Sequence, residues 1–256
     1  MDRETALANA LIHAWRRGRT LDADTATRLA PADTDAAYRV QSRVGEALGW
    51  FPDGRPRAWK MGFNPASATP TAAPVPNAAL LASPARLPPG TVHTLVGIEV
   101  ELALRVGRPL RAGCTPAEVE AAIVETVAAI EVCDVRAQRW QHLPPLFHLA
   151  DQQMHRWLVL GSSLSAPWEP ELSNRHVCLE IDGTTVAHQR GGHPLANPLH
   201  FLPWLATHAD ALGHGGLQAG DVIATGTWTG LHPVPPGARV RAEFAGIGEV
   251  ALTVSG

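Results

Sequence analysis

No stretch of this chain approaches the roughly 18 consecutive apolar residues that a membrane-spanning helix needs, so the sequence predicts no membrane anchor. There is no excess of basic residues either. The net charge is −3 and Arg is scattered rather than striped, which argues against nucleic acid as a partner. Cysteine is scarce. Cys114, Cys133 and Cys178 are odd in number and widely spaced, which excludes a disulfide framework or a zinc knuckle. The opening Met-Asp-Arg-Glu-Thr lacks the apolar core of a signal peptide. Both features point to a reducing, cytoplasmic setting. Histidine is plentiful, at 12, but none falls into H-E-x-x-H or a similar ligand spacing. Lysine is almost missing. Of 21 Lys and Arg residues a single one, Lys60, is a lysine.

What is present is glycine (23) and proline (22), a mix that suits short strands joined by turns better than a helical bundle. At 256 residues and 45% hydrophobic, the chain can bury one sizeable core. We read residues 1–55 as a helical N-terminal lobe and 56–256 as a continuous β-rich domain. Apolar residues at helical spacing predict a helix over 2–17, and a second is expected over 34–48 after the Asp33/Thr34 cap region. Residues 64–90, with seven prolines, read as a long irregular connection near or over the site. Strands are expected at 91–106, 130–135, 156–161, 176–181 and 184–189, and in the C-terminal runs 222–225, 239–244 and 248–254. Thr115-Pro116-Ala117-Glu118 reads as a helix start, with the helix running to about Ala128. Another helix is expected over 197–212.

The most informative segment is Val96-Gly-Ile-Glu-Val-Glu-Leu-Ala-Leu-Arg-Val106. In a strand, Glu99 and Glu101 project to one face, roughly 7 Å apart. Two buried carboxylates are costly unless a cation joins them, and Mg²⁺ or Mn²⁺ prefers such oxygens. Glu131, in a second apolar run, supplies a third carboxylate and would open a neighbouring strand. Asp134 competes for that role but faces the other way on a strand. Lys60, flanked by Trp59, Met61 and Phe63, either snorkels to solvent or faces an anion as a compact cation able to exchange a proton. Asp151 is a helix cap or a polar site residue. Gly191–Pro198, entering a helix, offers amides to an anion near Gly192. Thr225 and Thr227 end a strand in a small-residue loop and can donate hydrogen bonds.

Taken in order, Trp59-Lys60-Met61-Gly62, Ile98-Glu99-Val100-Glu101-Leu102-Ala103-Leu104, Ala129-Ile130-Glu131-Val132-Cys133-Asp134, Gly192-His193-Pro194-Leu195, Gly220-Asp221-Val222-Ile223 with Thr225-Gly226-Thr227, and Gly246-Ile247-Gly248-Glu249-Val250 resemble the fumarylacetoacetate hydrolase superfamily. The closest likeness is to its 2-keto-4-pentenoate hydratase and 4-oxalocrotonate decarboxylase branch. The resemblance implies an α+β fold built on a mixed, barrel-like β-roll with flanking helices, usually in homo-oligomers. It implies Mg²⁺ or Mn²⁺ on Glu99, Glu101 and Glu131, with Lys60 against a small 2-oxo acid substrate. It also implies a lyase of aromatic catabolism. Hydratase, 2-oxo-diacid decarboxylase and acylpyruvate hydrolase chemistry all use the same triad, and a non-catalytic subunit supporting a pathway enzyme is the alternative of another class. The branch often carries an Asp after Gly-x-Leu-x-Ala, helping proton transfer. Here the matching position is Ser83, which cannot act as a carboxylate base.

Overall fold

β-branched and small apolar residues dominate the long central runs of the chain, and in a computed structural model these runs become the middle strands of a sheet. The structure describes residues 2–64, 69–89, 93–193, 195 and 197–256. The strands are β1 (Ala58–Asn64), β2 (Thr69–Pro74), β3 (Leu80–Ala82), β4 (Ala85–Arg86), β5 (Gly97–Val106), β6 (Ile123–Cys133), β7 (His155–Leu164), β8 (His176–Ile181), β9 (Thr184–Arg190), β10 (Val222–Thr227), β11 (His232–Pro233), β12 (Arg239–Phe244) and β13 (Gly248–Thr253). The helices are α1 (Arg3–Arg17), α2 (Ala23–Leu29), α3 (Thr34–Leu48), α4 (Pro116–Glu120), α5 (Pro145–Ala150) and α6 (Leu202–Ala211).

Eight strands form one sheet in the order β2-β1-β10-β5-β6-β7-β3, with β11 also on β5. Five form a second, β4-β13-β12-β8-β9. Each sheet is mixed: β1 runs parallel to β10, β3 to β7 and β4 to β13, while the other pairs are antiparallel. Neither path closes on itself, so the fold is α+β with open sheets rather than a closed barrel. The main core lies between the sheets. It joins Ile98, Val100, Leu102 and Leu104 of β5 and Ile130 and Val132 of β6 to Val240 and Phe244 of β12 and Val250 of β13. A second core joins Leu7, Leu11 and Ala14 of α1 and Val40 and Val44 of α3 to Phe147 and Leu149 of α5. Asp2, Asp22 and Asp33 cap α1, α2 and α3, each accepting a backbone N–H three residues on.

Four expectations need correction. The helix opened by Thr115, whose capping box with Glu118 does form, ends at Glu120 rather than about Ala128. From Ile123 the chain is strand, because Ile, Val and Thr resist helix and find ladder partners on β5 and β7. Glu131 therefore sits near the end of a long strand instead of opening one. The proline-rich connection is not irregular. It carries β2, β3 and β4, short edge or sheet-end strands that tolerate proline. Residues 65–68 and 90 lie outside the described part. The strand expected from residue 91 starts at Gly97; 91 and 92 also lie outside the description, and His93–Leu95 wrap around Asp134. Finally, α6 begins at Leu202, not at Asn197, whose side chain instead accepts from Leu199 N. Among the described residues no helix is long and apolar enough to cross a membrane.

Candidate functional site

On the sheet face turned away from the main core, small residues make a floor. Ala58 (β1), Ala224 (β10), Ala103 (β5) and Ala129 (β6) belong to one buried cluster there. Strand alternation carries the same face on to Lys60, Glu101, Glu99 and Glu131. Glu99 and Glu131 are direct cross-strand partners, and Glu101 pairs in register with Thr227. β1 and β6 are three strand spacings apart, about 14 Å on a flat sheet. Side chains standing upright at that separation do not meet. Yet Lys60 Nζ lies 2.8 Å from Glu131 Oε2 and 3.9 Å from Glu99 Oε2, so the sheet curls around this face. All four residues are wholly or mostly buried.

The electrostatics separate the three glutamates. Burial disfavours the charge of Glu131, but the Lys60 ammonium and a 2.7 Å hydrogen bond donated by His155 Nδ1 outweigh it and hold that carboxyl low, at about 2. Glu101 has the opposite balance. Burial comes first, the charges of Glu131 and Glu99 add to it, and its carboxyl is pushed well up despite a 2.8 Å bond from Gly226 N. Burial likewise raises Glu99. Burial pulls Lys60 down, but the surrounding acids, Glu131 foremost, raise it, so it stays an ammonium.

This donor set fits a divalent cation. Ionised together as ligands, three carboxylates against one ammonium leave two negative charges, a repulsion that adds to burial in raising Glu99 and Glu101 and that a dication would balance. Glu131 Oε2 has the Lys60 ammonium at 2.8 Å, but Glu101 Oε1 is buried and receives no hydrogen bond. Buried oxygens are rarely left so without an occupant. Glu99, Glu101 and Glu131 are the residues that would hold such an ion.

A cavity of about 250 Å³ opens over Glu99, Glu101 and Lys60. Thr225 and Thr227 line it, as do Met61, Phe63, Leu195, Pro198 and Phe201. Thr225 Oγ1 donates back to Leu102 O and Thr227 Oγ1 to Gly230 O, so both hydroxyls already have backbone partners. His193 Nε2 donates to Thr225 O and its Nδ1 accepts from Leu195 N, latching this loop to the cavity rim.

Other sequence candidates lie elsewhere. Gly192 does not line the cavity. At φ 129° it sits behind β10, where a Cβ would strike the Gln189 amide and Trp228 O. The helix whose amides might have held an anion starts ten residues later, and Pro194 and Ala196 are outside the described residues. Asp151 stands between the C-terminal end of α5 and a single 3-10 turn over Gln152–Met154, and its side chain does not cap that turn. Its carboxylate binds Arg136 through Nε (2.6 Å) and backbone N (2.8 Å). Ser83 is also away from the cavity, and its Oγ accepts from Ala251 N at 2.9 Å, tying the β3–β4 link to β13. Asp134 accepts from His93, Thr94, Leu95 and Val135 and does not compete for the site.

Three contributors escaped the sequence reading. Gln153 O accepts from Lys60 Nζ (3.1 Å), and its amide donates to Thr71. Gln152, Gln153 and Met154 all have positive φ, a strained turn of the kind that collects at functional sites. A Cβ on Gly62 would collide with the Gln153 amide, so that glycine is needed for the approach. His155 and Cys133 flank Glu131 where an irregularity in the β6–β7 register re-aims both side chains. No local sequence signal marks them, because their role depends on the strand pairing.

A family model described as fumarylacetoacetate (FAA) hydrolase C-terminal matches residues 52–255. Among curated proteins, a 2-keto-4-pentenoate hydratase of Burkholderia vietnamiensis is 33% identical over 157 residues, 61% of this chain and 59% of that one. A 4-oxalocrotonate decarboxylase of a Pseudomonas species is 28% identical, over 62% of this chain and 60% of that one. The chain thus spans about three fifths of these relatives. 2-keto-4-pentenoate hydratase 1 of Dechloromonas aromatica is 28% identical over 96% of this chain and 95% of its own. Among solved structures, 4-oxalocrotonate decarboxylase from Pseudomonas putida G7, complexed with magnesium and adipate, superimposes with a TM-score of 0.84 at 24% identity, covering 98% of each chain, a likeness of fold.

Proposed function

Because the chain belongs to the fumarylacetoacetate hydrolase family, we propose that it is a divalent-metal-dependent lyase that hydrates a small 2-hydroxydienoate of the 2-hydroxypenta-2,4-dienoate type. The observation that carries this reading is the cavity lining. A metal-ready acidic wall and one ammonium stand at one end, and the remaining wall is apolar or neutral. Among the described residues Lys60 is the only cation lining it, with no Arg or His. The internal residues outside the description, 65–68, 90–92, 194 and 196, carry no charged side chain. A monocarboxylate is therefore favoured over a diacid, whose far carboxylate would be buried without a partner. The relatives named 2-keto-4-pentenoate hydratase agree with this choice, and the volume suits a small acid.

A divalent cation on Glu99, Glu101 and Glu131 would act as a Lewis acid toward the substrate's carboxylate and 2-oxygen, favouring negative charge there. The chain's own residues do the rest. Lys60 has three N–H donors and can keep Glu131 and Gln153 while also holding a substrate carboxylate. Its ammonium is placed to move a proton at Nζ as the dienol becomes the conjugated 2-oxo acid to which water adds. Met61, Phe63 and Phe201 exclude bulk water from the chain end of the substrate. Gly226 N fixes one Glu101 oxygen so that the other faces inward.

The reading is tested by turnover of the purified chain on 2-hydroxypenta-2,4-dienoate and on 4-oxalocrotonate, with and without Mg²⁺ or Mn²⁺. Metal-dependent hydration of the monoacid is expected. Preference for the diacid would instead establish the decarboxylase reading. Lys60→Met should lower kcat by about 10²–10⁴-fold if Lys60 transfers a proton. If it only anchors the substrate, KM rises and kcat holds. Unchanged kinetics would remove Lys60 from the mechanism.

A further inference from the structure

The Glu99–Glu131 pair has a second possible partner, on the side opposite Glu101. Register places Glu101 one step along β5 from the pair and Cys133 one step along β6. Cys133 lies on the same face as Glu131 and is buried. Its Sγ is 3.6 Å from Glu99 Oε2, and one donor atom from each of Glu99, Glu131 and Cys133 lies within 4.8 Å of the others. A metal–sulfur bond of about 2.3 Å and a metal–oxygen bond of about 2.1 Å at a tetrahedral angle of about 109° put sulfur and oxygen about 3.6 Å apart. Without metal this contact is a hydrogen bond from the Cys133 thiol to Glu99, and its length is also that of two ligands on one ion. The thiol is thus aimed into the carboxylate pair rather than packed against apolar neighbours, and the three donor atoms form one buried cluster.

We infer that Cys133 is a metal-facing donor that lets this site take a thiophilic divalent cation, such as Zn²⁺ or Cd²⁺, through an oxygen–oxygen–sulfur set. Hard ions use Glu101 as third ligand, and softer ions use the thiolate. The inference rests on the metal-site reading above. On binding, the thiol proton leaves to solvent and the sulfur lone pair enters the metal–sulfur bond, with no change of oxidation state. The site then accepts two classes of ion, and trace thiophilic metal would displace Mg²⁺ from it.

The test uses the chelator-treated full chain carrying Cys114→Ser and Cys178→Ser, so that Cys133 is the remaining thiol. Titration with Cd²⁺ should raise a thiolate-to-metal charge-transfer band in the ultraviolet that saturates at one ion per chain. Adding Cys133→Ser should abolish the band and weaken Cd²⁺ binding by roughly 10–100-fold, leaving Mg²⁺ binding in place. Cys133→Val serves if the serine variant does not fold, and the band in the parent needs neither. If Cd²⁺ binds without the band, and Glu99→Gln abolishes that binding, the metal site stands and the Cys133 inference falls. If Cd²⁺ binding is absent, or is indifferent to Glu99→Gln, both fall.

Discussion

Two buried acidic clusters meet at the exit of β6, where Glu131 belongs to one and Asp134 to the other, and they are built on opposite rules. Asp134 and Asp151 are saturated. Asp134 accepts backbone N–H groups from four residues and the His93 ring, and Asp151 takes both the side chain and the backbone N–H of Arg136. Arg136 is itself buried, gives a further bond to Asp151 O and stacks over Trp15 of α1. The site glutamates are under-supplied by comparison. Glu131 has His155 and Lys60, but Glu99 has a thiol and a 3.9 Å approach to the same ammonium, and Glu101 has one backbone N–H and a second oxygen with no donor. A carboxylate whose charge is fully met holds the fold together. One left short of donors keeps its capacity for a ligand.

That contrast predicts opposite consequences of the same kind of change, a buried acid turned into its amide. The largest effect should come from Glu101→Gln. With a divalent cation present, kcat/KM on the hydratase substrate should fall by about 10²–10³-fold or more. In chelator the same variant should unfold at no lower denaturant concentration than the parent, because burial and the neighbouring acids already disfavour the Glu101 charge in the metal-free fold. A variant that kept activity but lost stability would put Glu101 with the structural acids.

Next in size is Asp134→Asn, which turns an acceptor oxygen into a donor facing the His93 N–H groups. It should cost about 2–4 kcal/mol in urea unfolding, with kcat nearly unchanged in the folded fraction. Acid unfolding checks the same point. Burial opposes the charge of Asp134, but the His93 side chain, Arg136 and backbone N–H groups hold its carboxyl at about 2, below the ordinary 3.8. A carboxyl lowered by folding adds stability above its unfolded value. That share is lost as pH falls from about 4 to about 2, and at that shift it is worth about 2 kcal/mol. Asp134→Asn should lack this component of the acid transition. The smallest effect belongs to Ser83→Ala, which removes the two hydrogen bonds between Ser83 Oγ and the Ala251 backbone, at about 1 kcal/mol together since one is long, and should leave turnover as it was.

The same contrast explains what could be read from the sequence. Glu99 and Glu101 were legible because period-two alternation in an apolar run needs no knowledge of the partner strands. Lys60 stood out because it is the lone lysine. Helices α1 and α3 were legible from apolar spacing and an Asp cap. Ile123–Ala128 misled because a genuine capping box at Thr115 precedes a strand, and only pairing with β5 and β7 decides where the helix stops. Gln153, His155 and Cys133 stayed hidden because a bulge and a strained turn, both tertiary products, aim them at Lys60, Glu131 and Glu99. Whether Asp134 or Glu131 shares the face of Glu99 could be argued from parity, but the saturation of Asp134 and the deficit at Glu101 appear only when the donors are in place.

One divalent ion held by Glu99, Glu101 and Glu131 is the central requirement of the proposed chemistry. Calorimetric titration of chelator-treated protein with Mn²⁺ tests it directly, with Glu101→Gln and Asp134→Asn run alongside. One ion per chain is expected in the parent and in Asp134→Asn, with binding lost in Glu101→Gln. Equal Mn²⁺ binding by the parent and Glu101→Gln, or none by the parent, would contradict it.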